Sequence, residues 1–272
     1  MTLGNGRLLA DVVRDWKTTS HYKGLSFSTQ QAYSTALKNL SDLMPTDISL
    51  ISKRDLYDAG MKLHNRSASL ALYKAVVKGV WGHAFAQGLV EDIPSIPIKG
   101  SKPVKREAFD ETLLKEELKY PNSTLVTRAM YVALHTAQRI VDILNLKWSD
   151  YDGRSLTFVQ KKTGTKVVVP CSRGLKRLLE SMEKRGEHVI HNGGKSVSYP
   201  MFYAQYRKAF PKGKYPPFHA IRHTAASKIA SMGASPYEIR SITGHRNLSS
   251  VQRYTDSADL SRAAKKIMDD YE

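Results

Sequence analysis

The stretch between Ile93 and Phe109 constrains the fold most, because neither a helix nor a strand can continue through it. Its sequence, IPSIPIKGSKPVKREAF, contains three prolines, one glycine and four basic residues. Proline fixes its own backbone angle and has no N–H to donate, so such a segment is stiff and non-helical. We therefore predict two domains, residues 1–93 and 108–272, joined by a linker at residues 94–107.

The first predicted domain is helical, because its apolar residues recur at spacings of three and four. Pro45 interrupts this pattern. The aromatic residues of the helices are expected in the core. The predicted helices are one around Leu8–Trp16, one capped by Ser28 with Gln31, a short one capped by Ser52 with Asp55, and a long one from about Ser67 to Gly88.

The second predicted domain mixes helices with a small amount of strand, so the fold class is mostly α with a small β-sheet. SLTFVQ and TKVVVP, separated by KKTG, predict a β-hairpin. Ser235, Pro236 and Glu238 form a helix-start signature, and that helix should end at Gly244. Further helices are predicted at 123–134, 140–146, 175–184, 202–210, 219–232, 250–254 and 260–271.

The charge balance points to a nucleic-acid partner. The chain has a net charge of +17 and a pI near 9.8, and counterion release from phosphates drives the binding of such proteins. Residues 1–100 carry 12 Lys and Arg against 8 Asp and Glu, and the remainder carries 30 against 17. Both parts are basic, so a partner could be bound from two sides.

Composition also indicates the compartment. No apolar run reaches the roughly 18 residues that a membrane span needs, and the N-terminus lacks the pattern of a secretory signal. The single cysteine, Cys171, cannot form an internal disulfide and leaves no thiolate cluster for a structural metal. We expect a cytoplasmic protein of a bacterial or archaeal cell, without a membrane partner.

Four sequence fragments carry groups suited to phosphate chemistry. Arg139 opens an amphipathic helix and has Asp142 three positions on. His219 and Arg222 share a helix face, and an arginine fork matches phosphate oxygens. Tyr254 has a phenol whose ordinary pKa of about 10 makes it a poor nucleophile without nearby cations. Each fragment is individually more typical of a structural or solvated residue. The fragment of Tyr254, TGHRNLSSVQRYT, also contains His245, and the fourth fragment is KKTG, with Lys162.

Taken together, these fragments resemble the tyrosine recombinases, the phage-integrase class. The order is Arg139 in TAQRIVDILNLKWSD, Lys162 in QKKTGTK, His219 and Arg222 in HAIRHT, His245 in TGHRN and Tyr254 in VQRYT. The resemblance covers the whole second domain, and the helical first domain is similar to the family's core-binding domain. One departure is visible at Ala137, where the family often has glycine; alanine keeps that position small.

The resemblance implies a mechanism and an assembly. The two domains would form a C-shaped clamp on DNA, and Tyr254 would attack the scissile phosphodiester to give a 3′-phosphotyrosyl bond, without ATP, metal or other cofactor. Arg139, Arg222, His219 and His245 would stabilise the phosphate, with His219 as a proton acceptor. Lys162 would protonate the leaving 5′-oxygen, with Lys161 and Lys166 as rivals, and Asp142 would support the site.

The implied partners are double-stranded recombination sites, a tetramer of this chain on DNA, and optionally an accessory DNA-bending or directionality protein. The helix at about 259–271 could pack on its own core or on a neighbouring subunit. His223 and Arg246 are expected to make surface or DNA-backbone contacts. Since the chain begins almost directly with the core-binding region, no arm-binding domain is expected. Integration, excision, resolution and inversion all remain compatible.

Two other functions compete with this interpretation. The run from Ala225 to Tyr254 contains a helix, a glycine turn and a second helix, as in a helix-turn-helix regulator. Such a regulator would have no use for Arg139, Lys162 and Tyr254. A type IB topoisomerase uses similar chemistry but would relax supercoils at any sequence.

Overall fold

The computed structural model describes residues 6–101 and 109–256, together with residues 264, 268 and 269. By its internal contacts the chain divides into two compact units, Met1–Lys105 and Arg106–Glu272. Each unit has its own hydrophobic core. Within the described residues, no helix is long and apolar enough to cross a membrane.

The first unit is helical. Its longest helix, α5, packs against α1 and α3. The core residues Trp16, Tyr73 and Val80 are almost completely buried. The helices are α1 (Leu9–Thr18), α2 (Ser20–Lys23), α3 (Phe27–Leu37), α4 (Lys53–Met61) and α5 (Ser67–Ala86), with 3₁₀ turns at Lys38–Leu43 and Ile48–Leu50.

Side-chain caps define where two of these helices start. Ser52 and Asp55 form the predicted capping box of α4. The predicted start of α3 at Ser28 is wrong by two residues: Ser26 caps this helix, its hydroxyl accepting the N–H of Thr29 at 3.3 Å. Ser26 has the backbone conformation of an N-cap residue, whereas Ser28 lies in the first turn of α3.

The first part of the predicted linker is fixed on the first unit. Ile96 and Ile98 are buried in its core, and Lys74 of α5 donates to the carbonyl of Ile98 at 2.6 Å. The backbone N–H of Ser101 also donates to the carbonyl of His64. This proline-containing segment therefore packs onto the core of the first unit. Residues 102–108 lie outside the described chain.

The second unit combines helices with two small antiparallel sheets, which is the predicted α+β class. In the β1–β2 hairpin, Ser155 pairs with Pro170 and Val159 with Lys166. The elements are α6 (Glu111–Glu117), α7 (Leu125–Thr136), α8 (Ile140–Leu144), β1 (Ser155–Val159), β2 (Lys166–Pro170), α9 (Arg173–Ser181), β3 (His191–Asn192), β4 (Lys195–Ser196), α10 (Tyr199–Ala209), α11 (His219–Ser231), α12 (Pro236–Thr243) and α13 (Ser249–Thr255).

Two packing groups determine where the later helices lie. Helix α11 packs along α7, and it also contacts α12 and α13. A separate small cluster formed by Ala226, Ala230, Ile239, Val251 and Tyr254 joins α11, α12 and α13. The predicted hairpin and the predicted caps of α12 are confirmed. The predicted helix at 260–271 falls mostly outside the described residues.

Candidate active site

A left-handed residue at the end of α7 places Arg139. Ala137 has φ 53° and ψ 25°, and its N–H donates to the carbonyl of Ala133 at 2.8 Å. Arg139 follows as the N-cap of α8. The sequence alone indicates only that residue 137 should be small. The backbone conformation is the stronger reason for glycine to be favoured there, because a left-handed φ strains any residue with a Cβ.

Arg139 is bound from two sides. Its Nη1 donates to Oε1 of Gln160 at 3.0 Å and lies 4.0 Å from Oδ2 of Asp142. The side chain of Asp142 is fully buried, and its Oδ1 accepts the backbone N–H of Lys161 at 2.8 Å. Asp142 therefore connects α8 to the turn of the β-hairpin as well as facing the guanidinium.

Gln160, which was not chosen from sequence, connects several elements of the site. It is completely buried directly after β1. Its Nε2 donates to Oε1 of Gln138 at 2.7 Å and to the carbonyl of Thr243 at 2.8 Å, and its Oε1 also accepts from Thr163 at 3.0 Å. The sequence did carry a signal for it, because Leu156 and Phe158 face inward and strand alternation places residue 160 on the same face.

Arg222 is held by backbone carbonyls. Only 2 % of this residue is exposed. Its Nη1 donates to the carbonyl of Ala137 at 2.8 Å and its Nη2 to the carbonyl of Thr243 at 2.9 Å. Burial, and then the charge of Arg139, lower the pKa of Arg222 to about 10. The guanidinium is therefore still protonated at neutral pH.

The hydrogen bonds of His245 define its tautomer. The hydroxyl of Thr243 donates to the carbonyl of Ile239 at 2.7 Å, so its oxygen must accept the bond of 2.6 Å from Nδ1 of His245. Nε2 is then the lone-pair nitrogen, 3.2 Å from Nη2 of Arg222. Burial, followed by the charges of Arg222 and Arg139, lowers the pKa of His245 to about 4. His245 is therefore neutral at physiological pH.

The ring of Tyr254 lies among these groups. Tyr254 is 4 % exposed and its ring centroid lies 6.2 Å from that of His245. The ring of His223 meets it edge-on at 5.1 Å, and the guanidinium of Arg253 lies 5.3 Å from its centroid. His223 is half-buried, because its position on α11 faces α13, and its expected surface or DNA-backbone contact stays a prediction.

The remaining predicted residues lie at the margin of this group. His219 is the exposed first residue of α11, and its charge contributes to lowering the pKa of His245. Lys162 is exposed on the hairpin turn, and Lys161 and Lys166 are exposed beside it. Within the described chain, no hydrogen bond joins the ammonium of Lys162 to the other candidate residues, although the turn itself is bonded to them. Which of the three lysines protonates the leaving oxygen stays a prediction.

An open groove of about 660 Å³ adjoins His245. It lies between β2 and α12, and its walls include Lys166, Arg240 and Arg246 together with the exposed Tyr237. The prediction that Arg246 is a surface residue fits its exposure. Among the described residues, no group of three or more His, Cys, Asp or Glu side chains could hold a metal ion.

Comparison with known proteins decides the family. The sequence pattern of the phage integrase family matches residues 108–260, more than half of the chain. The chain belongs to the phage integrase family.

Several curated relatives bear names from this family. The integrase of Escherichia phage HK022 is 25% identical over 214 residues, covering 71% of this chain and 59% of that protein. The shufflon-specific DNA recombinase of Escherichia coli is 24% identical, with 82% and 60% covered. Tyrosine recombinase XerA of Thermococcus onnurineus is 26% identical, with 71% and 73% covered. The chain thus matches about three fifths of the length of the phage integrases.

Solved structures show the same fold. A lambda integrase dimer bound to a COC′ core site superposes with a TM-score of 0.79 at 20% identity, covering 93% of this chain and 78% of that chain. The Tn1549 transposon integrase in complex with transposon right end DNA gives a TM-score of 0.74 at 13% identity, covering 98% and 100%. These likenesses support the predicted α+β fold of this phage integrase family member.

Proposed function

We propose that this chain is a site-specific DNA recombinase that cleaves and rejoins DNA through Tyr254. The observation that carries the proposal is the shared carbonyl of Thr243. It accepts from Arg222 directly and from Gln160, whose side chain holds Arg139, so two guanidinium groups belong to one bonded cluster beside the Tyr254 ring. The names of the relatives, integrase and recombinase, fit this chemistry.

The reaction is a transesterification. The phenolate oxygen of Tyr254 attacks the phosphorus, a 3′-phosphotyrosyl bond forms, and the bond to the 5′-oxygen breaks. That oxygen takes a proton from Lys162, while His219 accepts the proton of the phenol. Arg139 and Arg222 donate to the non-bridging oxygens, where negative charge increases in the transition state. Attack by another 5′-hydroxyl reverses the step and reseals the strand.

His245 has a role that follows from its tautomer. With Nδ1–H committed to Thr243 and Nε2 facing Arg222, the neutral ring holds that guanidinium in place before DNA binds. An arriving phosphate would neutralise part of the positive charge that lowers the pKa of this histidine. The ring would then gain protons more readily and could donate to the phosphate through Nε2.

The proposed substrate and assembly extend beyond the site. A lambda integrase tetramer bound to a Holliday junction resembles this chain with a TM-score of 0.76 at 19% identity, which supports a tetramer on DNA here. The first unit would be the core-binding DNA domain, and Asp142 would hold Arg139 and the hairpin turn. The net charge of +17 supplies the attraction for duplex DNA. The protein would act in the cytoplasm.

Covalent trapping tests the proposal. The chain is incubated with candidate attachment-site duplexes carrying a nick next to the scissile phosphate, so that the cleaved fragment diffuses away and the enzyme stays linked. We expect a band resistant to denaturing detergent and a linked peptide that contains Tyr254. Tyr254→Phe should bind the same DNA with unchanged affinity and give no band. The exposed Tyr120, which is away from the site, provides the control Tyr120→Phe.

Each outcome assigns a function. Unchanged activity of Tyr254→Phe in regulating transcription, with no covalent complex from the parent protein, would identify a DNA-binding regulator and overturn the proposal. Covalent complexes on any sequence, together with relaxation of supercoiled plasmid and no strand exchange, would identify a topoisomerase.

A further inference from the structure

We propose that Gln160 is a positioning residue that locks the turn carrying Lys162 to Arg139. The inference rests on the proposed function, and it concerns how the turn is held during cleavage. Gln160 opens the QKKTGTK fragment, but the resemblance gives it no role, and its side-chain oxygen is bonded to Arg139 and Thr163. Its action would be through Thr163 on one side and Arg139 on the other.

The orientation of the Gln160 amide is forced by its neighbours. Nε2 of Gln138 donates to the carbonyls of Thr136 and Ile242, at 3.1 and 2.7 Å. Carbonyls only accept, so Oε1 of Gln138 must be the atom that faces Gln160. Nε2 of Gln160 must then donate to Gln138 and to the carbonyl of Thr243. Its Oε1 is left facing Arg139 and Thr163.

The turn is bonded on both sides of Lys162. On one side, the N–H of Lys161 donates to Asp142 at 2.8 Å. On the other, the hydroxyl of Thr163 donates to Oε1 of Gln160 at 3.0 Å. The backbone carbonyl of Gln160 also accepts from the N–H of Thr163 at 3.2 Å and from that of Gly164 at 2.8 Å.

These bonds fix the backbone of Lys162 while its side chain stays exposed. A lysine has several rotatable bonds, so its ammonium reaches one leaving oxygen reproducibly only if its Cα is held. Holding that Cα relative to Arg139 lowers the entropy lost on reaching the transition state. Loss of the Thr163 link should therefore impair protonation of the leaving group and leave the contacts of Arg139 in place.

The test compares two leaving groups. The parent protein, Thr163→Val and the matched control Thr157→Val cleave a normal nicked site and the same site with sulfur replacing the bridging 5′-oxygen. A thiol has a pKa of about 8.5, so a thiolate leaves without being protonated. The side chain of Thr157 lies on β1, outside the Gln160 network.

We expect Thr163→Val to cleave the normal site about ten-fold or more slowly than the parent, as for a weakened general acid. On the sulfur site its rate should equal that of the parent. DNA affinity should be unchanged, Thr157→Val should match the parent on both sites, and Thr163→Ser, which keeps the hydroxyl, should recover the normal rate.

Two results would overturn the inference: parent-like cleavage of the normal site by Thr163→Val, or equal slowing on both leaving groups. The second would show that the hydroxyl acts on Arg139 or on folding. Failure of the proposed function is distinguishable, because then the parent protein itself would form no covalent complex with either substrate.

Discussion

Replacement of Gly244 by alanine tests whether the end of α12 is packed as tightly as the hydrogen bonds indicate. Gly244 caps α12 with φ 68°. A Cβ built there would lie 2.5 Å from Nε2 of Gln160 and 2.7 Å from Cγ2 of Val167. Gln160 cannot move aside without breaking its bonds to Gln138 and Arg139. Gly164 has the same φ of 68° but no atom within 4 Å of a built Cβ.

The variants Gly164→Ala and Gly244→Ala together separate backbone strain from steric overlap. A left-handed alanine costs about 1–2 kcal/mol, and the loss of glycine's freedom in the unfolded chain returns about 0.4–1 kcal/mol. Gly164→Ala should therefore lower the free energy of unfolding by about 1 kcal/mol. Gly244→Ala carries the same strain plus overpacking of about 1–3 kcal/mol, which gives a total near 2–4 kcal/mol.

Urea unfolding followed by far-UV circular dichroism measures both variants against the parent. For a unit of this size each 1 kcal/mol corresponds to about 2–4 °C, so thermal unfolding should show the same ranking. Gly244→Ala should also lose covalent trapping, because displacement of Gln160 disturbs Arg139. Equal stability of the two alanine variants would refute the argument, since the overlap at Gly244 would then cost nothing.

Three further changes have expected outcomes. For His245, the folded pKa of about 4 lies below the ordinary 6.5, so its contribution to stability is complete above pH 6.5 and is lost as the pH falls towards 4. Between pH 7 and pH 4.5 the free energy of unfolding, measured in urea, should fall by about 1–2 kcal/mol less for His245→Gln than for the parent, after allowance for partial solvent exposure. An identical pH dependence of the two proteins would contradict this. Asp142→Asn should lower the free energy of unfolding by about 1–3 kcal/mol, because its amide presents donors to Arg139 while keeping the oxygen that Lys161 needs; unchanged urea stability would count against this role. Ser235→Ala removes the cap of α12 and should cost about 1 kcal/mol, seen as a melting temperature lower by about 2–4 °C, with activity retained at 25 °C.

Much of the fold is predictable because the local signals agree with the packing. The two strands of the β1–β2 hairpin are rich in β-branched and aromatic residues and flank a turn that contains glycine, and α12 has serine, proline and glutamate at its start and glycine at its end. Helix α6 and the β3–β4 pair were not predicted. Helix α6 has seven residues and each strand of the β3–β4 pair has two, which is too short for a periodic pattern.

The site was predicted only in part, for a physical reason. The charged residues carry a chemical signature, and the structure places Arg139, Arg222, His245 and Tyr254 within one group. Gln160 has no such signature, and its importance comes from contacts up to 83 positions away in the chain. The contact of His223 with Tyr254 likewise depends on how α11 and α13 cross, which spacing along one helix cannot give.

The way Arg222 is anchored has an electrostatic consequence. Its anchors are neutral carbonyls, so the guanidinium keeps its whole unit of charge for an incoming anion. A carboxylate in the same place would hold it equally well but would set a like charge against each phosphate. At about 4 Å such a repulsion is on the order of 4 kcal/mol near a protein surface. Because the carbonyl ends of α7 and α12 anchor Arg222, the site keeps its positive charge and can bind phosphate strongly.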